Sequence, residues 1–424
     1  MILQVQPTER LQGRIAIPAS KSHTIRAVLM ASLADGTSIL HRPLISEDTR
    51  AALNACQALG ASINEFDDRI EITGFGASPA QPAQVLDMLN SGTSTNLTLG
   101  LLAALGVQAD LTGDASLQGR PVKALTNALQ KLGCSISFKT IKGCPPLSIS
   151  GRMTGGSVVL DASKSSQYVS SLLIACPLAP ADTEIVVENP SELPYIDLTL
   201  AWLDEQKIRY TREGYTRFTV AGGQHYRSFE KTIPADWSSA AFPLCAAALT
   251  DSDVVLEGLD MQDTQGDKAI VDYLRQMGAK ISEGAEGLRI QGQTLKGCTL
   301  DINATPDALP ALAVMGCFAE GRTTLTNVAQ ARVKETDRIT VMANELSAMG
   351  ARITERPDGL VIDTSYLTGI NVHGHHDHRI VMALAIAGLH ATGTTTIDTA
   401  EAVAVTYPTF VESMQQLGAR IKIV

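Results

Sequence analysis

No run of apolar residues approaches the roughly 18 to 20 that a membrane-spanning helix needs. Positive charge is also scarce. Lysine and arginine total 34 against 44 aspartates and glutamates, a formal net charge of −10. That balance excludes a protein whose main business is wrapping nucleic acid or coating an anionic membrane. The seven cysteines (Cys56, Cys134, Cys144, Cys176, Cys245, Cys298 and Cys317) form no C-x-x-C pair. Scattered and odd in number, they read as reduced thiols, several of them simple core residues. The opening MILQVQPTERLQGRIAIP has no basic stretch leading into an apolar one, so no signal peptide is visible and a cytoplasmic location is expected.

What is present is an ordinary globular balance, 45% apolar and 18% charged over 424 residues, long enough for two or three domains and a large core. Beneath it lies a repeat. Leu59-Gly60-Ala61-Ser62-Ile63 has echoes beginning at Leu132, Met277, Met349 and Leu417. A degenerate copy begins at Gln206, with Lys207 where the glycine should stand. The intervals are 73, 74, 71, 72 and 68 residues, so six units of about 70 fill the chain.

Each unit has a mechanical reading. An amphipathic helix such as Glu47 to Leu59 ends at a glycine able to take the positive φ of a helix C-cap. Two alternating strands follow, such as Ala61 to Phe66 and Arg69 to Thr73. Upstream lies a helix apolar nearly all round, such as Ala27 to Ala34, and that pattern belongs to a buried helix. The polar starts of these buried helices recur near Ser22, Thr93, Ser166, Ser238, Asp307 and His378.

Ser, Thr, Asn and Asp at such starts are good N-caps. Lys21, Arg26, Gln167 and Arg379 are more than a cap needs. Helix N-termini attract anions, so three units per lobe could line two facing surfaces around a small, highly anionic ligand. Arg332-Val333-Lys334-Glu335-Thr336-Asp337-Arg338 is the densest charged segment. Read as a helix, it sets Lys334 and Glu335 on one face with Arg338.

Nine motifs in order then carry a resemblance. They are Ser20-Lys21-Ser22 with Arg26, Asn90-x-Gly92-Thr93, Arg120-Pro121, Ser165-Ser166-Gln167, Pro194-Tyr195, Gln265-Gly266-Asp267, Pro306-Asp307, Lys334 through Arg338, and Asp377-His378-Arg379. From about residue 8 to its end the chain resembles the enolpyruvyl transferase family, in the branch whose acceptor is shikimate 3-phosphate. The resemblance implies an α/β (α+β) fold of two similar lobes, each three βαβαββ units with buried parallel helices, an inside-out α/β barrel. It places residues 20–234 in the N-terminal, shikimate 3-phosphate lobe. Residues 1–19 plus 235–424 form the C-terminal lobe, with phosphoenolpyruvate and the acid and base.

The implied reaction moves the carboxyvinyl group of phosphoenolpyruvate to the 5-hydroxyl of shikimate 3-phosphate and releases phosphate. By resemblance Lys21, Ser22, Arg26, Ser165, Ser166, Gln167, Asp307 and Lys334 bind shikimate 3-phosphate. Lys21, Gly92, Arg120, Gln167, Lys334, Arg338 and Arg379 bind phosphoenolpyruvate. Asp307 is the candidate base, and Glu335 with Lys21 the candidate proton donor. No metal or organic cofactor is needed, and no nucleic acid, membrane or second copy is expected, so the chain should act as a monomer.

Departures are visible. Asn96 stands for a family arginine, Gln330 for an asparagine, and Glu192-Leu193 where the family has serine followed by a basic residue. Val405 occupies the place of a family lysine. His373-Gly374-His375-His376-Asp377-His378 spells a two-metal hydrolase signature, but only His390 follows as a further histidine, so a metal site is not expected. The alternatives are a carboxyvinyltransferase acting on UDP-N-acetylglucosamine, disfavoured by the absence of a cysteine before Arg120-Pro121, and a non-catalytic anion binder, disfavoured by Asp307 with Glu335.

Overall fold

The computed structural model describes residues 1–424 and divides them into two compact units. One is Met1–Pro18 with Pro234–Val424, the other Ala19–Ile233. Ala19 and Pro234 each fall one residue away from the expected 20–234 division, and the backbone shows why. Pro18 accepts the Asp236 N–H at 2.8 Å, tying both strands of the linker to the first unit. The Ile233 N–H donates to the carbonyl of His41 at 2.9 Å, the last tie to the second.

Each unit holds three four-stranded sheets on one plan, the first strand parallel to the second and the rest antiparallel. In the unit Ala19–Ile233, for example, Leu86–Asp87 runs parallel to Ala109–Thr112, which pairs antiparallel with Leu147–Ser150 and through it Ser135–Phe138. The chain closes each unit on itself. Glu230–Thr232 comes back to supply the parallel strand beside Thr37–His41. In the other unit Gln12–Ala16 lies parallel to Asp253–Glu257, and Leu3–Val5 is inserted between Thr395–Ile397 and Ile421–Ile423.

Six helices fill the two interiors: Lys21–Leu33, Gly92–Leu105 and Gln167–Ala175 in one, Trp237–Leu249, Leu309–Phe318 and His378–His390 in the other. They are buried on nearly every face, as sequences apolar all round demand. Packing between them is close. A Cβ on Gly100 would come within 2.7 Å of the Ser171 carbonyl, so only glycine lets Gly92–Leu105 approach Gln167–Ala175. No helix is long and apolar enough to cross a membrane.

The amphipathic helices end where the repeat places them. Glu47–Ala58 is followed by Gly60 at φ +104°, and Gly133, Gly278, Gly350 and Gly418 take the same left-handed turn. Lys207 takes it too, at φ +60°, so the fold imposes the turn even where the sequence offers no glycine. All seven cysteines are unpaired.

One buried group makes stability depend on pH. His390 ends the helix His378–His390 with its ring 5.3 Å from that of Phe318, and its Nε2 is buried. Burial pushes the imidazole down to about 4, with a backbone contact at Ala246 opposing. A lowered folded-state value means the stabilisation is complete above the unfolded value of about 6.5 and is lost as pH falls toward 4. His390→Gln should therefore flatten the pH dependence of the unfolding free energy between those limits. Urea titrations at several pH values check it, and an unchanged slope would exonerate His390.

Candidate active site

The strongest constellation lies in the unit Pro234–Val424 and centres on Arg338. Asp377 caps the helix His378–His390, its Oδ1 accepting the Arg379 N–H at 2.9 Å. The same carboxylate grips Arg338 at both oxygens, Nε to Oδ2 at 2.8 Å and Nη2 to Oδ1 at 3.1 Å. Thr336 Oγ1 adds a fourth donor at 3.1 Å. Arg338 spends its remaining reach on Asp307 Oδ1 (Nη1, 2.8 Å) and Glu335 Oε2 (Nη2, 2.6 Å). Arg379 Nη2 meets the other oxygen of Asp307 at 2.9 Å and Ser238 Oγ at 3.1 Å.

Exposure sorts the cluster. The side chains of Arg338, Arg379 and Asp377 are at most 2% exposed, whereas Asp307 and Glu335 keep 18% and 13%. The groups that face outward are thus the two carboxylates, with their guanidinium partners behind them. Burial pushes the Asp307 carboxyl up, but Arg379, Arg338 and Lys334 outweigh it and hold it well below the usual carboxylate range. Burial likewise opposes charge on Arg338, and Asp377, Glu335 and Asp307 override it, raising the guanidinium above its ordinary value.

The charged segment is not the helix its spacing suggests. A short 3-10 turn ends at Val333, Lys334 is non-helical (φ −86°, ψ −148°), and the helix Arg338–Ala348 begins only at Arg338. Asp337 is the reason, because its carboxylate caps that helix by accepting the Thr340 N–H at 3.1 Å. Glu335 meets Arg338 from a loop folded over the helix start. Asp307 also begins with a 3-10 turn, Pro306–Ala308, ahead of Leu309–Phe318.

The unit Ala19–Ile233 carries the other expected residues. Lys21 opens the helix Lys21–Leu33 and pairs with Asp48, Nζ to Oδ2 at 2.9 Å, with side chains 12% and 3% exposed. Arg26 is buried among neutral acceptors: Thr199 Oγ1 at 2.9 Å, the Ser22 carbonyl at 3.0 Å, and Ser170 Oγ and the Tyr195 carbonyl at 3.4 Å. Burial pulls its guanidinium down to about 10, and Tyr195 opposes the shift. Gln167 is fixed by Thr93 (Nε2 to Oγ1, 2.9 Å) and Asn96 (Nδ2 to Oε1, 2.8 Å), so the residue standing for the family arginine orients the glutamine.

Arg120 donates to Asn90 Oδ1 at 2.6 Å and Ser116 Oγ at 3.2 Å. A Cβ on Gly92 would stand 3.1 Å from Arg120 Nη1, so glycine there keeps room for the guanidinium. Ser165 Oγ accepts the Gln167 N–H at 3.2 Å, and Ser166 binds Glu192.

Three residues escaped the sequence reading as site members: Asp48, Asp377 as the anchor of Arg338, and Glu192 as the partner of Ser166. Asp48 reads simply as an acidic residue in the first turn of Glu47–Ala58, a common and uninformative signal. Val405 is buried in the 3-10 turn Ala400–Val405. The histidine-rich signature divides among separate partners. His373 Nδ1 lies 2.6 Å from Asp398 and His375 Nε2 2.8 Å from Glu345, while His378 is buried at its helix start. No three His, Cys, Asp or Glu side chains are arranged to hold a metal.

Six repeated units with buried helices, and an acid pair backed by buried arginines, define the enolpyruvyl transferase fold. An enolpyruvyl transferase from Streptomyces tendae, NikO, superposes with a TM-score of 0.81 over 99% of this chain and 98% of its own, at 18% identity. EPSP synthase from Acinetobacter baumannii superposes with a TM-score of 0.83 at 33% identity over 99% of both chains. The family model described as EPSP synthase (3-phosphoshikimate 1-carboxyvinyltransferase) matches residues 5–414, and the chain belongs to that family. A protein of Ruminiclostridium cellulolyticum named 3-phosphoshikimate 1-carboxyvinyltransferase is 47% identical over 424 residues, all of both chains. One of the same name from Acetivibrio thermocellus is 48% identical over 423 residues, 99% of both.

Removing one partner of a buried ion pair typically costs about 3–5 kcal/mol. Asp377→Ala should lower the unfolding free energy by about that amount, read from urea denaturation. A loss under about 1 kcal/mol would mean that Asp307 and Glu335 alone suffice to hold Arg338.

Proposed function

We propose that this protein transfers the carboxyvinyl group of phosphoenolpyruvate to the 5-hydroxyl of shikimate 3-phosphate, releasing phosphate, and does so as a cytoplasmic monomer. The observation that carries the reading is the Asp307 carboxylate, shared between Arg338 and Arg379 and accompanied by Glu335 on the same arginine. A protein that merely bound polyanions would gain from the arginines and lose from the carboxylates. A reaction of addition followed by elimination needs an acid and a base on one tetrahedral intermediate.

In this reading Arg120, Arg338 and Arg379, with Lys21, Lys334, Gly92 and Gln167, hold phosphoenolpyruvate, whose carboxylate suits paired guanidinium donors. Lys21, Ser22, Arg26, Ser165, Ser166, Gln167, Asp307 and Lys334 hold shikimate 3-phosphate. Glu335, with Lys21, delivers a proton to the methylene carbon. Asp307 takes the 5-hydroxyl proton as that oxygen attacks the adjacent carbon, and the intermediate then gives a proton of its new methyl group back to the Glu335 and Lys21 side as phosphate leaves, restoring the double bond. The unit Ala19–Ile233 would serve the acceptor, and Met1–Pro18 with Pro234–Val424 would serve phosphoenolpyruvate and the proton transfers.

The pairing of Asp307 with two guanidiniums adds a physical step. A carboxylate held down by two guanidiniums is a weak base. A phosphoenolpyruvate carboxylate drawing on Arg338 and Arg379 would dilute their hold on Asp307 and raise its basicity when the acceptor needs it. Asp307, followed by carbon-13 NMR of labelled aspartate with Asp307→Asn for assignment, should titrate higher with phosphoenolpyruvate bound than without. A signal that does not move under saturation removes this coupling.

Phosphate release from phosphoenolpyruvate only when shikimate 3-phosphate is present tests the reaction itself. Asp307→Ala should lose about 10² to 10⁴ in turnover while largely keeping acceptor affinity. Arg120→Ala should instead weaken phosphoenolpyruvate binding, since a charge-assisted contact acts in the ground state as well. Turnover of Asp307→Ala at the parent rate would show that the base lies elsewhere.

A further inference from the structure

Ser166 stands at the start of the buried helix Gln167–Ala175, yet its hydroxyl makes no capping bond to that helix. Its N–H and its Oγ–H both donate to a single oxygen, Oε2 of Glu192, at 3.1 and 2.9 Å. The Glu192 residue is only 2% exposed. A carboxylate from 26 residues further along the chain therefore sits on the N-terminal end of this helix, where partial positive charge favours an anion.

The backbone at Glu192 adds an independent oddity. Its φ is +51° and its ψ +44°, left-handed values that cost a residue with a Cβ and persist only where the surroundings enforce them. Glycine would suit that backbone better, so the side chain is what the position retains. Ser191 pins the segment by donating from Oγ to the Ala162 carbonyl at 2.7 Å, and Pro194 follows within the helix Leu193–Glu205.

We propose that Glu192 is a built-in occupant of the acceptor-phosphate seat, a tethered carboxylate that shikimate 3-phosphate must displace from Ser166. The inference rests on the functional reading above, which gives Ser166 to that phosphate. A phosphate carries more charge and more acceptor oxygens than a carboxylate, so it can win the same two donors. Two anions cannot share them at hydrogen-bond distance. The tether therefore subtracts from acceptor affinity and sets a threshold for what may sit there, because a weak or neutral group cannot evict Glu192. A residue that only capped the helix would change stability and leave ligand affinity alone.

Isothermal titration of the full-length protein distinguishes these roles. Shikimate 3-phosphate is compared with shikimate, which lacks the phosphate, on the parent, Glu192→Gln and Glu192→Gly. Glycine tolerates the positive φ and supplies a folded variant should the glutamine fail. Both variants are expected to bind shikimate 3-phosphate about tenfold more tightly or better, as removal of a like charge implies, with shikimate unchanged. Unchanged or weaker shikimate 3-phosphate binding in the folded variants overturns the proposal, as does equal tightening for shikimate. Inorganic phosphate keeps the two readings apart. In a protein that ignored shikimate 3-phosphate altogether, phosphate binding that tightened in the variants would uphold the seat and sink the functional reading. Phosphate binding indifferent to Glu192 would sink both.

Discussion

Everything in the cluster around Asp307 and Glu335 hangs on one buried ion pair, Arg338 with Asp377. A guanidinium 1% exposed is stable there only if its charge is met and its donors are used, and the bidentate grip of Asp377 does both. Because Asp377 is also the N-cap of His378–His390 and takes the Arg379 N–H, the same carboxylate fixes both arginines relative to the helix axis. Asp307 and Glu335 then find their places by pairing with cations already anchored. The two outward carboxylates are thus positioned through the buried guanidiniums behind them.

Much of the fold was legible because a period of about 70 residues samples the same physics six times. A helix apolar all round has nowhere to go but inside, and six of them at one interval define two interiors. Lys207 shows the strength of that logic: the sequence there offers a poor residue for a left-handed turn, and the turn forms regardless. The strand exchange that closes each unit was harder to see. Leu3–Val5 is three residues long, and no local pattern says that it belongs between Thr395–Ile397 and Ile421–Ile423.

The candidate site was legible in its cations and its two outward acids, since Lys, Arg and Asp307 at buried-helix starts, and Glu335 among the cations of residues 332–338, are hard to explain otherwise. What stayed hidden were the partners. Asp48 looks like any first-turn acid, and only three-dimensional proximity ties it to Lys21. Asp377 looks like any N-cap. Lys334 through Asp337 look like a helix because i, i+3 and i, i+4 spacing of charge is what helices show, and a competing cap at Asp337 overrules it. Glu192 appeared only as a mismatch to a family pattern, and its partner Ser166 lies 26 residues away.

The closing strands carry a consequence for synthesis. The unit Ala19–Ile233 has all its strands once residue 232 has emerged, so it can fold while the ribosome is still at work. The other unit cannot. Gln12–Ala16 waits for Asp253–Glu257, and Leu3–Val5 waits for the strand Ile421–Ile423, hundreds of residues later. At about 5–20 residues per second, Leu3–Val5 spends tens of seconds without one of its neighbours. Its brevity is then an advantage, since three residues offer little edge for a stray chain to pair with.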